Sequence, residues 1–553
     1  MKMKKTLALV LALVFVLSIA LTGCTPKTTT PDPAAPVAAE PKVLRMIQTS
    51  EPPNLDPQKG TDTISIEIDN AILEGLVRVH NSEILPGMAE KWEISPDGLE
   101  YTFHLRDAKW SDGKPVTAKD FEYAWIRLLE PATASEYAFQ AYYLENGEAY
   151  NTGKITDRTQ VGVKAVDDKT LKVKLAAPTK YFLALTGFLS LMPTREDIVA
   201  QHQVAYAADA DKLVTNGPFL LKEWKHEELV VIEKNPNYWN KDAIKLDRVE
   251  MPIVLDNKTG VNMYEAGEVD TVNLSKDFVD QYKAKGQDKY FISGSEFYFQ
   301  FNVTGGTGVT QKLLGNANFR KAFAYAVDRQ AYCDAVLKNG STAATRYVLP
   351  QLAGNEKLFS EEYPLEFYPA TADPAKAKEY LDKALAEVGI TADKMPAVEY
   401  LTDDSEDVRI QAEAIQDMLA KNAGIKLEIK QVPFKSRIEL MNNKDYQIVM
   451  AGWGPDYDDP MTYLDLWVIG GGHNNTNWEN KEYTDLVNGA KVEPDQKLRA
   501  EKMFTAEKVL LESGVIVPVY NRQRAYVQQD YVQNIVRQFI GAERDFVFAD
   551  IVK

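Results

Sequence analysis

Cysteine is almost absent: 553 residues hold only Cys24 and Cys333, so no disulfide framework carries the fold. Histidine is nearly as scarce. His80, His104, His202, His226 and His473 lie far apart with no metal-ligand spacing, and His226-Glu227-Glu228 lacks the second His of a zinc-protease helix. No Gly-x-Ser-x-Gly elbow occurs, and Gly305-Gly306-Thr307-Gly308 is not followed by the Gly-Lys-Ser/Thr of a phosphate loop. The sequence thus predicts no enzyme, no metal and no cofactor; a triad scattered over the fold is all that escapes this reading. Positive charge is in deficit, with 63 Lys and Arg against 80 Asp and Glu, a net −17 that argues against a nucleic-acid partner. The apolar run Thr6 to Ala20 falls short of the roughly 20 residues a spanning helix needs.

That run, behind Lys2, Lys4 and Lys5, reads as a secretory signal, and Leu21-Thr22-Gly23-Cys24 has the form of a bacterial lipobox. Cleavage before Cys24 and acylation of its thiol and new amino terminus are expected. Losing residues 1–23 removes three lysines and no acid, which leaves −20. Residues 24–42, mostly Thr, Pro, Ala and Val, cannot bury a core and read as an extended tether reaching on the order of 50 Å. The remaining body, 45 % hydrophobic and 26 % charged over the whole chain, has ordinary globular composition and is too long for one compact core.

Within the body the richest stretch is Tyr446 to Pro460. Gln447 to Ala451 reads as a buried strand that stops at Gly-Trp-Gly-Pro, followed by Asp456, Asp458 and Asp459. Ligands gather beyond the carboxyl ends of strands in open α/β sheets, and a carboxylate there suits a cation. The plainer alternative is an acidic turn; a calcium loop is disfavoured because Pro460 stands where a glycine is wanted. Upstream, Val43 to Gln48 reads as a strand and Ile64 to Leu76 as a helix closed by Gly75. Pro96-Asp97-Gly98 predicts a hairpin, Thr117 with Asp120 a capping box for a helix over Ala118 to Leu129, and Val163 to Leu175 a second hairpin. Asp373-Pro374 opens a helix closed at Gly389, Val408 to Leu419 forms another stopped by Gly424, and Ile425 to Ile429 alternates as a strand. Cys333, in an apolar helical pattern with Phe319, Ala322 and Phe323, reads as a packed small hydrophobe.

Ala89-Glu90-Lys91-Trp92, Trp110-Ser111-Asp112-Gly113, Pro115-Val116-Thr117-Ala118, Asn216-Gly217-Pro218-Phe219, Asn235-Pro236-Asn237-Tyr238-Trp239, Ala451-Gly452-Trp453 with Asp456-Tyr457, and Val517-Pro518-Val519-Tyr520 together resemble the extracytoplasmic peptide-binding proteins of ABC-type oligopeptide importers. The resemblance spans essentially the whole body. It implies an α/β, two-lobed periplasmic-binding-protein-like fold of class II (cluster C), with lobe I over 43–78, 206–298 and 515–553, an extra subdomain over 79–205, and lobe II over 299–514. The crossings between lobes are expected near Tyr298–Asn302 and Val515–Tyr520.

By the same resemblance Asp456 neutralises the peptide's leading ammonium, Gly452 offers backbone to it and Trp453 forms a wall. Glu51, Asn216, Tyr137, Tyr298 and Tyr520 are matched by block alone, and core packing is the alternative for each of the three tyrosines. Relatives that clamp short peptides carry an Arg before Ala-Gly-Trp, where Met450 stands here. Arg437 and Lys435 are the nearby substitutes, against the plainer reading of solvated helix charges. The expected partners are an oligopeptide, a membrane permease with its ATPase subunits, and the outer side of the cytoplasmic membrane through lipid on Cys24. A monomer is expected. A receptor for dipeptides, a signalling peptide or a non-peptide solute, and more remotely a surface peptidase, stand as rivals.

Overall fold

The computed structural model describes residues 40–553; the expectations for the signal, the lipobox at Cys24 and most of the tether lie outside the described residues. Lys42, expected in the tether, is already part of the body: its N–H donates to Asp247 (2.8 Å) and its ammonium pairs with Asp550 (2.5 Å).

Strand β1 (Val43–Arg45) leads to helix α1 (Thr63–Ile72), which begins on Asp62, whose carboxylate accepts from the N–H groups of Ile64 and Ser65. The helix is shorter than its apolar pattern predicts. Leu73 is already extended, and the Asn216 amide takes over both sides of Glu74, accepting from its N–H and donating to its carbonyl at 3.0 Å each. A four-stranded antiparallel sheet follows, built from β2 (Ala89–Ile94), β3 (Glu100–Leu105), β4 (Val163–Ala165) and β5 (Thr170–Lys174) in the order β2-β3-β5-β4. Helix α2 (Ala118–Leu129) opens on the capping box, the Thr117 N–H donating to Asp120 (2.8 Å), and buries Phe121, Trp125 and Leu128. The same unit carries the short 3-10 turn Ala138–Ala141.

β6 (Phe219–Lys225), β7 (Leu229–Lys234) and β8 (Arg248–Pro252) join β1 in a second sheet ordered β1-β8-β7-β6, with β1 parallel to β8. The largest sheet takes strands from both halves of the chain. Its members are β9 (Thr271–Asn273), β10 (Lys289–Phe301), β11 (Val398–Asp403), β12 (Leu427–Val432), β13 (Ile448–Trp453) and β14 (Ile516–Gln528) in the order β9-β14-β10-β13-β11-β12, and Thr342–Ala343 adds to β14. Helix α3 (Pro374–Val388) packs against α4 (Glu406–Ala423), and α4, α5 (Phe434–Asn442) and α6 (Gln496–Ser513) cover the sheet. β11 runs parallel to both β12 and β13, the arrangement that helical crossovers impose.

The 13-residue strands β10 and β14 join the halves. The late residues of β14 pair with β9, its early residues pair with Glu296–Gln300 of β10, and register shifts interrupt this ladder between Ile292 and Glu296 and between Phe297 and Tyr298. Such irregularities bend a strand and increase its local twist. α3 matches its predicted limits, starting on the Asp373 side chain and ending at a left-handed Gly389 (φ 80°). Cys333 is buried as expected, but in a separate turn (Tyr332–Leu337) beyond a break at Val327; burial pushes its thiol up to about 12.

Candidate functional site

β13 is paired along its whole length with β10, from Ile448↔Phe301 to Trp453↔Glu296, whereas β11 reaches it only at Ile448 and Val449. Its last residues therefore keep one edge free, and that edge forms the wall of a cavity of about 490 Å³. An extended guest can add there as a strand. Gly452 is open to the cavity. A Cβ at this position would lie 2.7 Å from the Phe297 ring, so only glycine leaves the backbone accessible with Phe297 in place.

Three residues past Trp453 the carboxylate of Asp456 enters the cavity lining, 8 % exposed. It accepts from Tyr137 Oη (3.2 Å) and Gln140 Nε2 (2.6 Å), both on the 79–205 segment. Among the described residues it forms no ion pair. Burial holds its pKa well above the ordinary carboxylate value, and the two neutral donors offset this only in part. The other acids of the loop point elsewhere: Asp458 accepts from the Ala353 N–H (2.8 Å), and Asp459 takes a bidentate Arg499 (2.7 and 2.8 Å). No group of three His, Cys, Asp or Glu gathers for a metal among the described residues.

Trp453, Tyr137, Tyr298 and Tyr520 also line the cavity. Tyr137 packs against Trp453 (5.9 Å between ring centroids), and Tyr520 stacks on Phe297 (4.7 Å). Behind this wall Tyr181 stacks on Tyr457 (4.2 Å).

Two expected residues are elsewhere. Asn216 is buried in the α1 turn, both ends of its amide spent on Glu74. The Glu51 carboxylate is turned away onto the β6–β7 hairpin, accepting from Trp224 Nε1 (2.9 Å) and the Glu227 N–H (2.8 Å) and meeting His226 (2.7 Å). Block likeness locates a backbone; it does not fix where a side chain turns. Arg437 corrects the opposite way. Far from being a solvated helix charge, it is buried on the cavity wall, bound to Asp403 (2.6 Å) and donating to the carbonyl of Met450 (3.3 Å), the residue where short-peptide binders carry their Arg. Lys435 is exposed and does not line the cavity.

Gln140, Glu136 and His473 were not singled out from the sequence. His473 is packed between Tyr137 (5.3 Å) and Trp453 (4.8 Å), and burial drives its pKa down to about 4 while raising Glu136 to about 7. Their 3.9 Å contact therefore joins a neutral imidazole to an acid whose ionisation burial opposes, and is no ion pair near neutrality. The one available sequence signal was the adjacency of Glu136 to Tyr137.

Residues 83–475 match the family model described as bacterial extracellular solute-binding proteins, family 5. The chain is 36 % identical over 533 residues to the dipeptide-binding protein DppE of Bacillus subtilis, covering 95 % of each. Listeria monocytogenes OppA bound to peptide superposes with a TM-score of 0.87 at 35 % identity, over 93 % of this chain and all of that one. The Escherichia coli murein tripeptide binding protein MppA superposes at 0.84 (28 % identity; 93 % of this chain, 99 % of that one) in one structure. In its unliganded open form the score is only 0.59 (27 % identity; 94 % and 99 %). The two lobes here are thus arranged unlike that open form.

Proposed function

This chain belongs to the bacterial extracellular solute-binding proteins of family 5, and from that premise we propose that it captures oligopeptides between its lobes and delivers them to a membrane permease driven by separate ATPase subunits. The observation that carries this reading is Asp456: a carboxylate buried in a cavity beside a free strand edge, held by two neutral donors and, among the described residues, in no ion pair. Such a group costs several kcal/mol to ionise unless a guest brings the positive charge. A peptide brings an ammonium and a row of backbone donors and acceptors together, which matches the carboxylate and the edge at once.

The lobes in this reading are 43–78, 206–298 and 515–553 against 299–514, with 79–205 inserted in the first. Closure rotates them about β10 and β14 near their register shifts. Tyr137 and Gln140 come from the insert and Asp456 from lobe II, so the ammonium site is complete only when the lobes meet. The receptor does no chemistry. It stands on the outer side of the cytoplasmic membrane as a monomer, held by lipid on Cys24; among the described residues no helix is long and apolar enough to cross the bilayer.

Purified protein exposed to a mixed pool of peptides and non-peptide solutes, then washed and denatured, should release intact peptides with free amino termini when analysed by mass spectrometry. Recovery of cleaved fragments points to a peptidase, and recovery of non-peptide solutes alone removes the oligopeptide reading. The lengths recovered separate a dipeptide receptor from one for longer chains.

A further inference from the structure

A second charged group on the cavity wall lacks a full partner. Arg522 lies on β14, two residues beyond Tyr520, and lines the same cavity as Asp456. Its Nε donates to Ser293 Oγ (2.6 Å) and its Nη2 to Ser295 Oγ (2.9 Å), so two neutral hydroxyls fix the guanidinium plane. Nη2 also donates to the Glu543 carboxylate (3.3 Å), an ion pair shared with Arg524, which holds the same acid more closely at 2.8 Å. Among the described residues Nη1 of Arg522 meets no protein acceptor. One carboxylate therefore serves two guanidiniums, while the neighbouring Arg544 and Glu67 satisfy each other (2.6 and 2.7 Å). Burial together with the charge of Arg524 pushes Arg522 down to about 10, the direction expected of a cation short of counter-charge.

Two neutral hydroxyls and a carboxylate shared with Arg524 orient this cation without cancelling it in full, which is how an anion site is prepared in advance. The location adds to this. The Arg522 guanidinium lies over the Phe297 ring (5.0 Å), the ring that also fills the space above Gly452. Ser295 Oγ sits 3.4 Å from where a Cβ on Gly454 would be, two residues before Asp456. At about 3.3 Å per extended residue, a peptide anchored at Asp456 presents its first two side chains to this region.

We propose that Arg522 forms a second charged subsite of the cleft, which takes a carboxylate from an Asp or Glu side chain among the first two residues of a bound peptide. The subsite rests on the oligopeptide reading and sharpens it: the receptor selects peptides that begin with an ammonium and carry an acid close behind.

Calorimetry on the full chain, cleared of bound peptide, tests this with tetrapeptides bearing Glu or Gln at the first or second position, each with a free or an amidated carboxyl terminus. At one position or the other Glu should bind about 10- to 100-fold more tightly than Gln, the range for a charge-assisted hydrogen-bonded pair. Arg522→Gln should bring that ratio close to one. Arg522→Lys, which keeps charge but loses the fork, should keep part of it and serves if the Gln variant does not fold. Equal binding of Glu and Gln peptides by the wild type overturns the proposal, as does a preference that survives Arg522→Gln. A loss of affinity on amidating the terminus, with none on exchanging Glu for Gln, assigns the subsite to the terminal carboxylate and overturns it too. If no tetrapeptide binds at all, it is the oligopeptide reading that fails, and the two failures are distinct.

Discussion

Asp456→Asn is expected to weaken peptide binding by about 2–5 kcal/mol, measured by calorimetry, while raising the melting temperature of the ligand-free protein. Both effects have one cause. The carboxylate is buried against Tyr137 and Gln140 and, among the described residues, forms no ion pair, so without ligand it is a cost of folding, and with ligand it is the counter-charge of the ammonium. Its folded pKa lies above its unfolded one, so the stability it contributes is complete below about pH 3.9 and is lost as pH rises through the folded value. The advantage of the Asn variant in the ligand-free state should therefore widen from pH 4 towards pH 8. Peptide affinity should climb over the same range, because the carboxyl must release its proton to solvent before it can pair with the ammonium, and that release becomes easier as pH rises. It should fall again once the α-amino group, near pH 7.7–8.0, loses its own proton. A variant that binds as well as the wild type would remove Asp456 from the site.

Removal of Glu507 should cost about 3–5 kcal/mol of stability, the largest effect expected away from the cleft. This wholly buried carboxylate on α6 accepts from Arg346 at Nε (3.1 Å) and Nη2 (2.5 Å) and from the N–H groups of Tyr347 (3.1 Å) and Val348 (2.9 Å). Glu507→Ala strands a guanidinium that is itself only 5 % exposed and frees two buried donors. The damage reaches the cavity through Tyr347, which receives a hydrogen bond from Trp467 (3.0 Å) and packs edge-on against Tyr298, both of them cavity-lining. Urea denaturation should show a lower midpoint at an unchanged slope. A loss below about 1 kcal/mol would mean that the pair is no better than a surface contact.

What could be read from the chain divides by range. The capping box of α2, the Asp373 and Gly389 ends of α3 and the Pro96-Asp97-Gly98 hairpin are written in residues within four positions of one another, and the structure reproduces them. The end of β13 was equally local: the strand stops at Gly454-Pro455, two residues later than a strand over Gln447 to Ala451 implied, and this located the loop that carries Asp456. The rest of the site depends on pairings that no local pattern encodes. Gln140 reaches Asp456 across 316 positions, and Arg522 reaches Ser293 across 229. Helix α1 was overestimated because its apolar period continues past Ile72, while Asn216, 142 positions from Glu74, supplies the hydrogen bonds that let the chain turn out early. Arg437 looked like a surface charge for a related reason: helical period alone does not reveal that Asp403 on β11 and the Met450 carbonyl wait on its inner face.

All of this turns on a guest's positive end replacing a missing counter-ion. The most direct trial titrates one tetrapeptide, with its amino terminus free and then acetylated, into the wild type and into Asp456→Asn. Acetylation should cost the wild type at least about 100-fold and the variant little, since the two changes remove opposite halves of one pair. Tight binding of the acetylated peptide by the wild type, or equal losses in both proteins, would contradict the account.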